Sequence, residues 1–175
     1  ATSFLQVNPA IAARLYEAVD MIETSNRRLA LDGYCGVGIL TLMLAEKFES
    51  VIGLDSDRKA IRYAIQAARE QSVQNVSFYD EPLPRGLGKG QCDLASQSMV
   101  VLDPPRGGCD EETLHRITLS GTDTIAMISC HPATLARDLS RLDAFEIEEV
   151  LPFDMFPQTY HIESLVVLRR RNRST

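Results

Sequence analysis

The sequence predicts an α/β fold, a mostly parallel sheet with helices on both faces and an antiparallel last strand. Short apolar runs at 29–31, 51–54, 76–79, 99–102 and 124–128 alternate with segments of helical apolar spacing, the pattern of strands joined by crossover helices. LALDGYCGVGIL, Leu29 to Leu40, condenses one such unit: an apolar strand, a turn rich in glycine and the start of a helix. The last two apolar runs, Phe145–Leu151 and Ile162–Arg169, are joined by DMFPQTYH without a helical segment, so the final strand turns back antiparallel.

Each element has a local reason. SFLQVN is an extended lead-in; Asn8 caps a helix with Pro9 in its first turn and Ile11, Leu15, Val19 and Ile22 at helical spacing. Leu29–Leu31 is a strand, Leu40–Phe48 a helix continuing from the glycine turn, and Val51–Leu54 the next strand. Arg58–Gln71 carries Ile61, Ala64, Ile65 and Ala68 on one helical face, and Val76–Tyr79 is a strand. Asp80–Ser98, interrupted by Pro82, Pro84, Gly86, Gly88 and Gly90, reads as a loop with room for one turn of helix. Met99–Leu102 is a buried strand, Glu111–Leu119 a helix, Thr124–Ile128 a strand and Pro132–Leu142 a helix. Arg169, Arg170, Arg171 and Arg173 read as a frayed, solvated tail.

Composition narrows the function. A chain of 175 residues, 45% hydrophobic and 24% charged, suits one globular domain. No apolar run approaches the roughly 18 residues of a membrane span and no secretory leader is evident, so a cytoplasmic protein without membrane contact is expected. Cys35, Cys92, Cys109 and Cys130 form no Cys-x-x-Cys pair and His115, His131 and His161 are scattered, which predicts free thiols and no metal. A formal net charge of −6 argues against a large basic face for nucleic acid.

The glycine turn, Asp55, Asp80, the LDPPRGG loop and the SCHPATLARD loop all follow strands, so they converge on the rim at the carboxyl ends of the sheet, with Glu163 at the start of the last strand. Asp32 to Gly38 has the order Asp-x-x-x-Gly-x-Gly, in which glycines allow positive φ and close approach of a ligand to a helix start; Asp55 ends the next apolar run, where an acid meets a ribose hydroxyl pair. In DPPR, Asp103 to Arg106, prolines stiffen a loop that can offer a carboxylate and a guanidinium to a flat polar ring; a plain proline turn is the alternative. Cys130 lies between a strand and the helix opened by Pro132, where the helix dipole favours thiolate; an inert cysteine at a strand end is the alternative. Glu163, beside the apolar SLVVL, is a general base if burial raises its pKa, and an ordinary strand-edge carboxylate otherwise.

The glycine turn resembles motif I of class I S-adenosylmethionine-dependent methyltransferases. Together FLQVN at 4–8, LDGYCGVG at 31–38, LDPPRGG at 102–108, SCHPATLARD at 129–138 and DMFPQTYHIES at 154–164 resemble the catalytic domain of RNA uracil-5-methyltransferases over essentially the whole chain. That resemblance implies a Rossmann-like class I methyltransferase fold acting on a uridine of ribosomal or transfer RNA. It implies that Gln6, Tyr34, Gly36, Gly38, Asp55 and Asp103 contact S-adenosylmethionine, with Asp80 on the adenine side. Cys130 matches the nucleophile, Glu163 the general base and Arg106 a substrate-binding position. Two residues depart from the pattern: Ile39 stands where asparagine is frequent beside the cofactor, and His131 replaces the asparagine of Ser-Cys-Asn-Pro. Residues 1–175 are then expected to be the catalytic domain of a longer chain, monomeric, with RNA-binding surface elsewhere. A methyltransferase for a small molecule or protein remains open, as does a binding module without turnover; the former would have no use for Cys130.

Overall fold

The computed structural model describes residues 8–88, 99–155, 158–159 and 162–171. Its helices are α1 (Pro9–Asp20), α2 (Ile39–Leu44), α3 (Arg58–Glu70), α4 (Leu83–Gly88), α5 (Glu111–Leu119) and α6 (Pro132–Leu139). Its strands are β1 (Leu29–Gly33), β2 (Ser50–Leu54), β3 (Val76–Tyr79), β4 (Met99–Leu102), β5 (Thr124–Ser129), β6 (Phe145–Phe153) and β7 (Glu163–Arg170). Side chains cap the helices where the sequence offers acceptors. Asn8 accepts from the Ile11 N–H, Asp57 from Lys59 and Ala60, and Asp110 from Thr113.

The seven strands form one sheet in the order β3-β2-β1-β4-β5-β7-β6. β1 to β5 are parallel, and β7 runs antiparallel to both β5 and β6. Alternating residues feed two cores. Val100, Leu102, Ile125 and Met127 pack on one face with Leu83 and Leu87 of α4, Leu114 and Ile117 of α5 and Leu135 of α6. Met99, Val101, Ala126 and Ile128 pack on the other with Leu15 and Val19 of α1 and Leu40 and Leu44 of α2. The strand order reverses between β1 and β4, so a crevice opens beyond their carboxyl ends.

Three expectations need adjustment. α2 stops at Leu44 rather than Phe48, and α6 at Leu139 rather than Leu142; Lys47 bonds back to Leu44 and Leu142 to Leu139, tight last turns that bring the chain to the next strand. The irregular segment after Asp80 contains α4, held by the buried pair Leu83 and Leu87; residues 89–98, Cys92 among them, lie outside the description. Arg169–Arg171 are not a frayed tail. Arg169 bonds Glu148, Arg170 stacks 4.4 Å over the Phe145 ring, and Arg171 donates to the Phe145 carbonyl. Arg173 is outside the described residues. Among the described residues no helix is long and apolar enough to cross a membrane.

Candidate active site

A cleft of about 790 Å³ opens at the carboxyl ends of β1, β2, β4 and β5. It unites Tyr34, Gly36, Asp55, Asp103, Arg106, Cys130 and Glu163.

One end is built by the turn after β1. Tyr34, Gly36 and Gly38 have φ of 65°, 54° and 82°, and the turn is closed by Cys35 N–H on Leu54 O at 3.0 Å and Gly38 N–H on Cys35 O at 2.9 Å. Asp55 ties it down: one carboxylate oxygen accepts from Gly36 N–H at 2.8 Å, the other from Asp57 N–H at 2.7 Å. The two glycines serve different ends. A Cβ on Gly38 would sit 2.9 Å from the Ala64 Cβ and from the Phe78 ring, whereas one on Gly36 would meet nothing within 4 Å. Gly38 lets α2 pack, while Gly36 leaves the cleft floor open to a ligand.

Asp32 lies beneath the turn as the most buried carboxyl of the cleft. Thr41 Oγ1 donates to its Oδ2 at 2.6 Å, and its Oδ1 is buried without a partner. Burial, and secondarily the charge of Asp103, push its pKa up to about 7. In the sequence Asp32 stands out only as the start of Asp-x-x-x-Gly-x-Gly; an acid inside an apolar run is the signal that it is buried within β1. Asp103 is raised to about 6, also by burial. Acids with raised folded pKa values bind protons more tightly folded than unfolded, so stability falls as pH rises from about 4 to about 7 and then levels off. Asp32→Asn is therefore expected to raise the melting temperature at pH 8 and flatten its dependence on pH. Melting temperatures of the parent that do not change between pH 5 and pH 8 would refute this.

The other end holds Cys130 and Glu163. Ser129 on β5 faces Ser164 on β7 in antiparallel register, which sets Cys130 and Glu163 as the next residues across the ladder. Glu163 is only 4% exposed, and burial with the nearby Asp103 raises its pKa to about 7. The half-buried Cys130 corrects an expectation: its thiol is pushed up, not down, by burial and the Glu163 carboxylate, against a smaller opposing pull from Arg106. His131, between Cys130 and α6, is the N-cap of that helix. Its Nδ1 accepts from Thr134 N–H at 3.3 Å and its carbonyl from Leu135 N–H at 3.0 Å. Cys35 and Cys109 are buried with thiols pushed up by burial, Cys109 to about 12, so Cys130 is the most accessible thiol among the described cysteines.

Not every expected residue joins the cleft. Asp80 is exposed on the same rim, pairs with Arg58 at 3.4 Å and does not line the cleft. Gln6 and His161 lie outside the described residues. Ile39 sits at the mouth, 43% exposed, and Tyr16 of α1 and Ser56 also line the wall, neither flagged by any motif. Among the described residues no group of three His, Cys, Asp or Glu is placed to hold a metal ion.

The model of the tRNA (uracil-5-)-methyltransferase family matches residues 1–80 and 89–171. An uncharacterised RNA methyltransferase of Clostridium acetobutylicum is 37% identical over 175 residues, covering 96% of this chain and 37% of the relative. One from Halalkalibacterium halodurans is 38% identical, covering 98% of this chain and 38% of the relative. Among solved structures, the tRNA (uracil-54, C5)-methyltransferase of Pyrococcus abyssi in complex with S-adenosyl-L-homocysteine superposes with a TM-score of 0.83 at 31% identity, over 95% of this chain and 40% of that one. The chain thus spans about two fifths of the length of these proteins.

Proposed function

The chain belongs to the tRNA (uracil-5-)-methyltransferase family, and from that premise we propose that it is the catalytic domain of an enzyme that methylates C5 of a uridine in RNA, using S-adenosylmethionine. One observation carries the reading: a nucleotide-type cradle, a thiol and a buried carboxyl share one cleft. A methyltransferase for an oxygen or nitrogen acceptor needs the cradle alone. C5 of uracil is too weak a nucleophile to take a methyl group unaided, so it needs the other two.

S-adenosylmethionine bound there supplies an electrophilic methyl group on a sulfonium. Tyr34, Gly36, Asp55 and Asp103 would hold it, with Gly38 closing the turn beneath and Asp80 on the same rim; Gln6, expected to contact it from the sequence resemblance, lies outside the described residues. The open face of Gly36 and the unpartnered Asp32 oxygen suit a polar, cationic ligand. Cys130 adds as thiolate to C6, forming an S–C bond and placing the electron pair at C5 and O4. After C5 is methylated, Glu163 takes the proton from C5; the electron pair restores the C5–C6 double bond and expels the Cys130 thiolate. Arg106, at the cleft mouth, faces the incoming base. The base has to leave its stack to enter, costing a few kcal/mol unless it already lies in a loop.

The activity, the RNA and the monomeric state are proposals for the whole protein, of which this chain matches a part. Transfer RNA is the substrate class we favour, because the Pyrococcus abyssi protein is described as acting there. Free Cys35, Cys109 and Cys130 suit a reducing cytoplasm. Incubating the full-length protein with S-adenosylmethionine and unmodified transfer or ribosomal RNA, then digesting to nucleosides, should yield 5-methyluridine. Methyl transfer to another nucleoside, or to a small molecule or protein only, would overturn the reading.

A further inference from the structure

The motif SCHPATLARD contributes Cys130 to the chemistry, but its second half is not used by the mechanism above. Thr134, Arg137 and Asp138 stand at i, i+3 and i+4 of α6, on one helical face. All three grip the loop from Asp103 to Cys109. Thr134 Oγ1 donates to Arg106 O at 3.2 Å, Arg137 Nη2 to Gly107 O at 2.8 Å, and Asp138 Oδ2 accepts from Cys109 N–H at 2.8 Å. Asp138 is 1% exposed, and its Oδ1 is held by Arg137 at 2.6 Å. Gly108, φ +80°, presses the loop flat: a Cβ there would lie 2.3 Å from Asp138 Oδ2 and 2.4 Å from Thr134 Cγ2. The Thr134 hydroxyl proton is shared with Nδ1 of His131, the residue after the nucleophile, 2.8 Å away, so Thr134 bridges the loop carbonyl and that ring nitrogen. At the far side Cys109 belongs to the core cluster against which Tyr34 packs, which joins the loop to the glycine turn.

We propose that Thr134 and Asp138 are positioning residues that lock the Asp103–Cys109 loop to the nucleophile helix, so that Arg106 and Cys130 keep a fixed relation across the cleft. The clamp deepens the reading of Cys130 as a nucleophile and rests on it. Cys130 is faced by Glu163 from β7 and by Asp103 and Arg106 from the loop; Asp103 is tied to β1 by its N–H on the Gly33 carbonyl at 3.3 Å, so loosening the clamp at Arg106–Cys109 withdraws the one cation of the set and leaves both carboxyls in place.

The test needs neither RNA nor cofactor. The rate of Cys130 alkylation by iodoacetamide is followed against pH, with peptide mapping to separate it from the other cysteines. Arg106→Met should slow alkylation at neutral pH roughly three-fold, the size expected of a partly screened charge, and move the midpoint to higher pH. Thr134→Val and Asp138→Asn should each reproduce that change, and neither should add to it in the Arg106→Met background. Circular dichroism identifies a variant that fails to fold; Thr134→Val, which removes one hydroxyl, then carries the test. Clamp variants with the parent profile, an Arg106→Met profile like the parent's, or equal slowing by the clamp variants in the Arg106→Met background would each overturn the proposal. The methylation reading fails separately, through absence of 5-methyluridine with the alkylation results unchanged.

Discussion

Cys130→Ala is expected to lower methyl transfer by roughly four orders of magnitude or more, the scale of loss when a covalent nucleophile is removed. The physical reason is specific to carbon methylation. Without an S–C6 bond, C5 keeps the low electron density of a conjugated pyrimidine, and among the described cysteines no other thiol is placed to substitute. Cys35 and Cys109 are buried and bound into the fold, one beneath the glycine turn and the other between Tyr34 and Asp138. Binding of S-adenosylmethionine, measured by calorimetry, should survive the change because Cys130 lies at the opposite end of the cleft from the glycine turn. Methyl transfer retained within ten-fold would mean the acceptor is not a ring carbon that needs activation.

Glu163→Gln is expected to block the pathway one step later, lowering turnover by roughly 10²–10⁴-fold, the usual contribution of a general base. The amide cannot take the C5 proton, so methylated RNA should remain attached to the protein through Cys130 and run as a covalent band. The pH profile gives an independent check. Glu163 acts as a base only when ionised, and burial with the neighbouring Asp103 has raised its pKa to about 7, so turnover of the parent rises with pH through about 7. That inflection should vanish in Glu163→Gln. The Cys130 thiol should titrate at lower pH in the same variant, since the Glu163 charge that pushes it up is gone. A variant that turns over at the parent's rate, with an unchanged pH profile, would assign proton removal to another group.

The strand and helix alternation was readable because each β-strand is an apolar run bounded by a turn, as at Val51–Leu54 and Met99–Leu102. The reversed last strand was readable too, from a connection without helical spacing before Glu163. That the site residues meet was readable for the same reason: the sheet delivers Asp55, Asp103 and Cys130, just past strand ends, and Glu163, at the start of antiparallel β7, to one rim. Two kinds of feature escaped. Helix ends were set by i to i−3 bonds, at Lys47 and Leu142, which apolar spacing does not reveal. Local environments across strands escaped as well: burial, and then the antiparallel pairing that sets Glu163 against Cys130, push up a thiol expected to be lowered at a helix start. The C-terminal arginines read as a tail because nothing in Arg169–Arg171 shows that Glu148, Phe145 and Thr122 would receive them. Thr134, Arg137 and Asp138 were in view as part of a motif, but their grip on a loop some 30 residues earlier follows only from the packing of α6.

The central claim is that one thiol and one carboxyl act in sequence on a uracil ring. Its most direct test mixes the full-length protein with S-adenosylmethionine and substrate RNA in which uridine is replaced by 5-fluorouridine, beside the Cys130→Ala variant, and weighs the products by mass spectrometry. Fluorine cannot leave C5 as a proton does, so the parent should accumulate a protein–RNA adduct at Cys130 that carries one added methyl group, and the variant none. An unmodified parent protein under conditions in which it still methylates ordinary uridine RNA, or an adduct that persists in Cys130→Ala, would contradict the account.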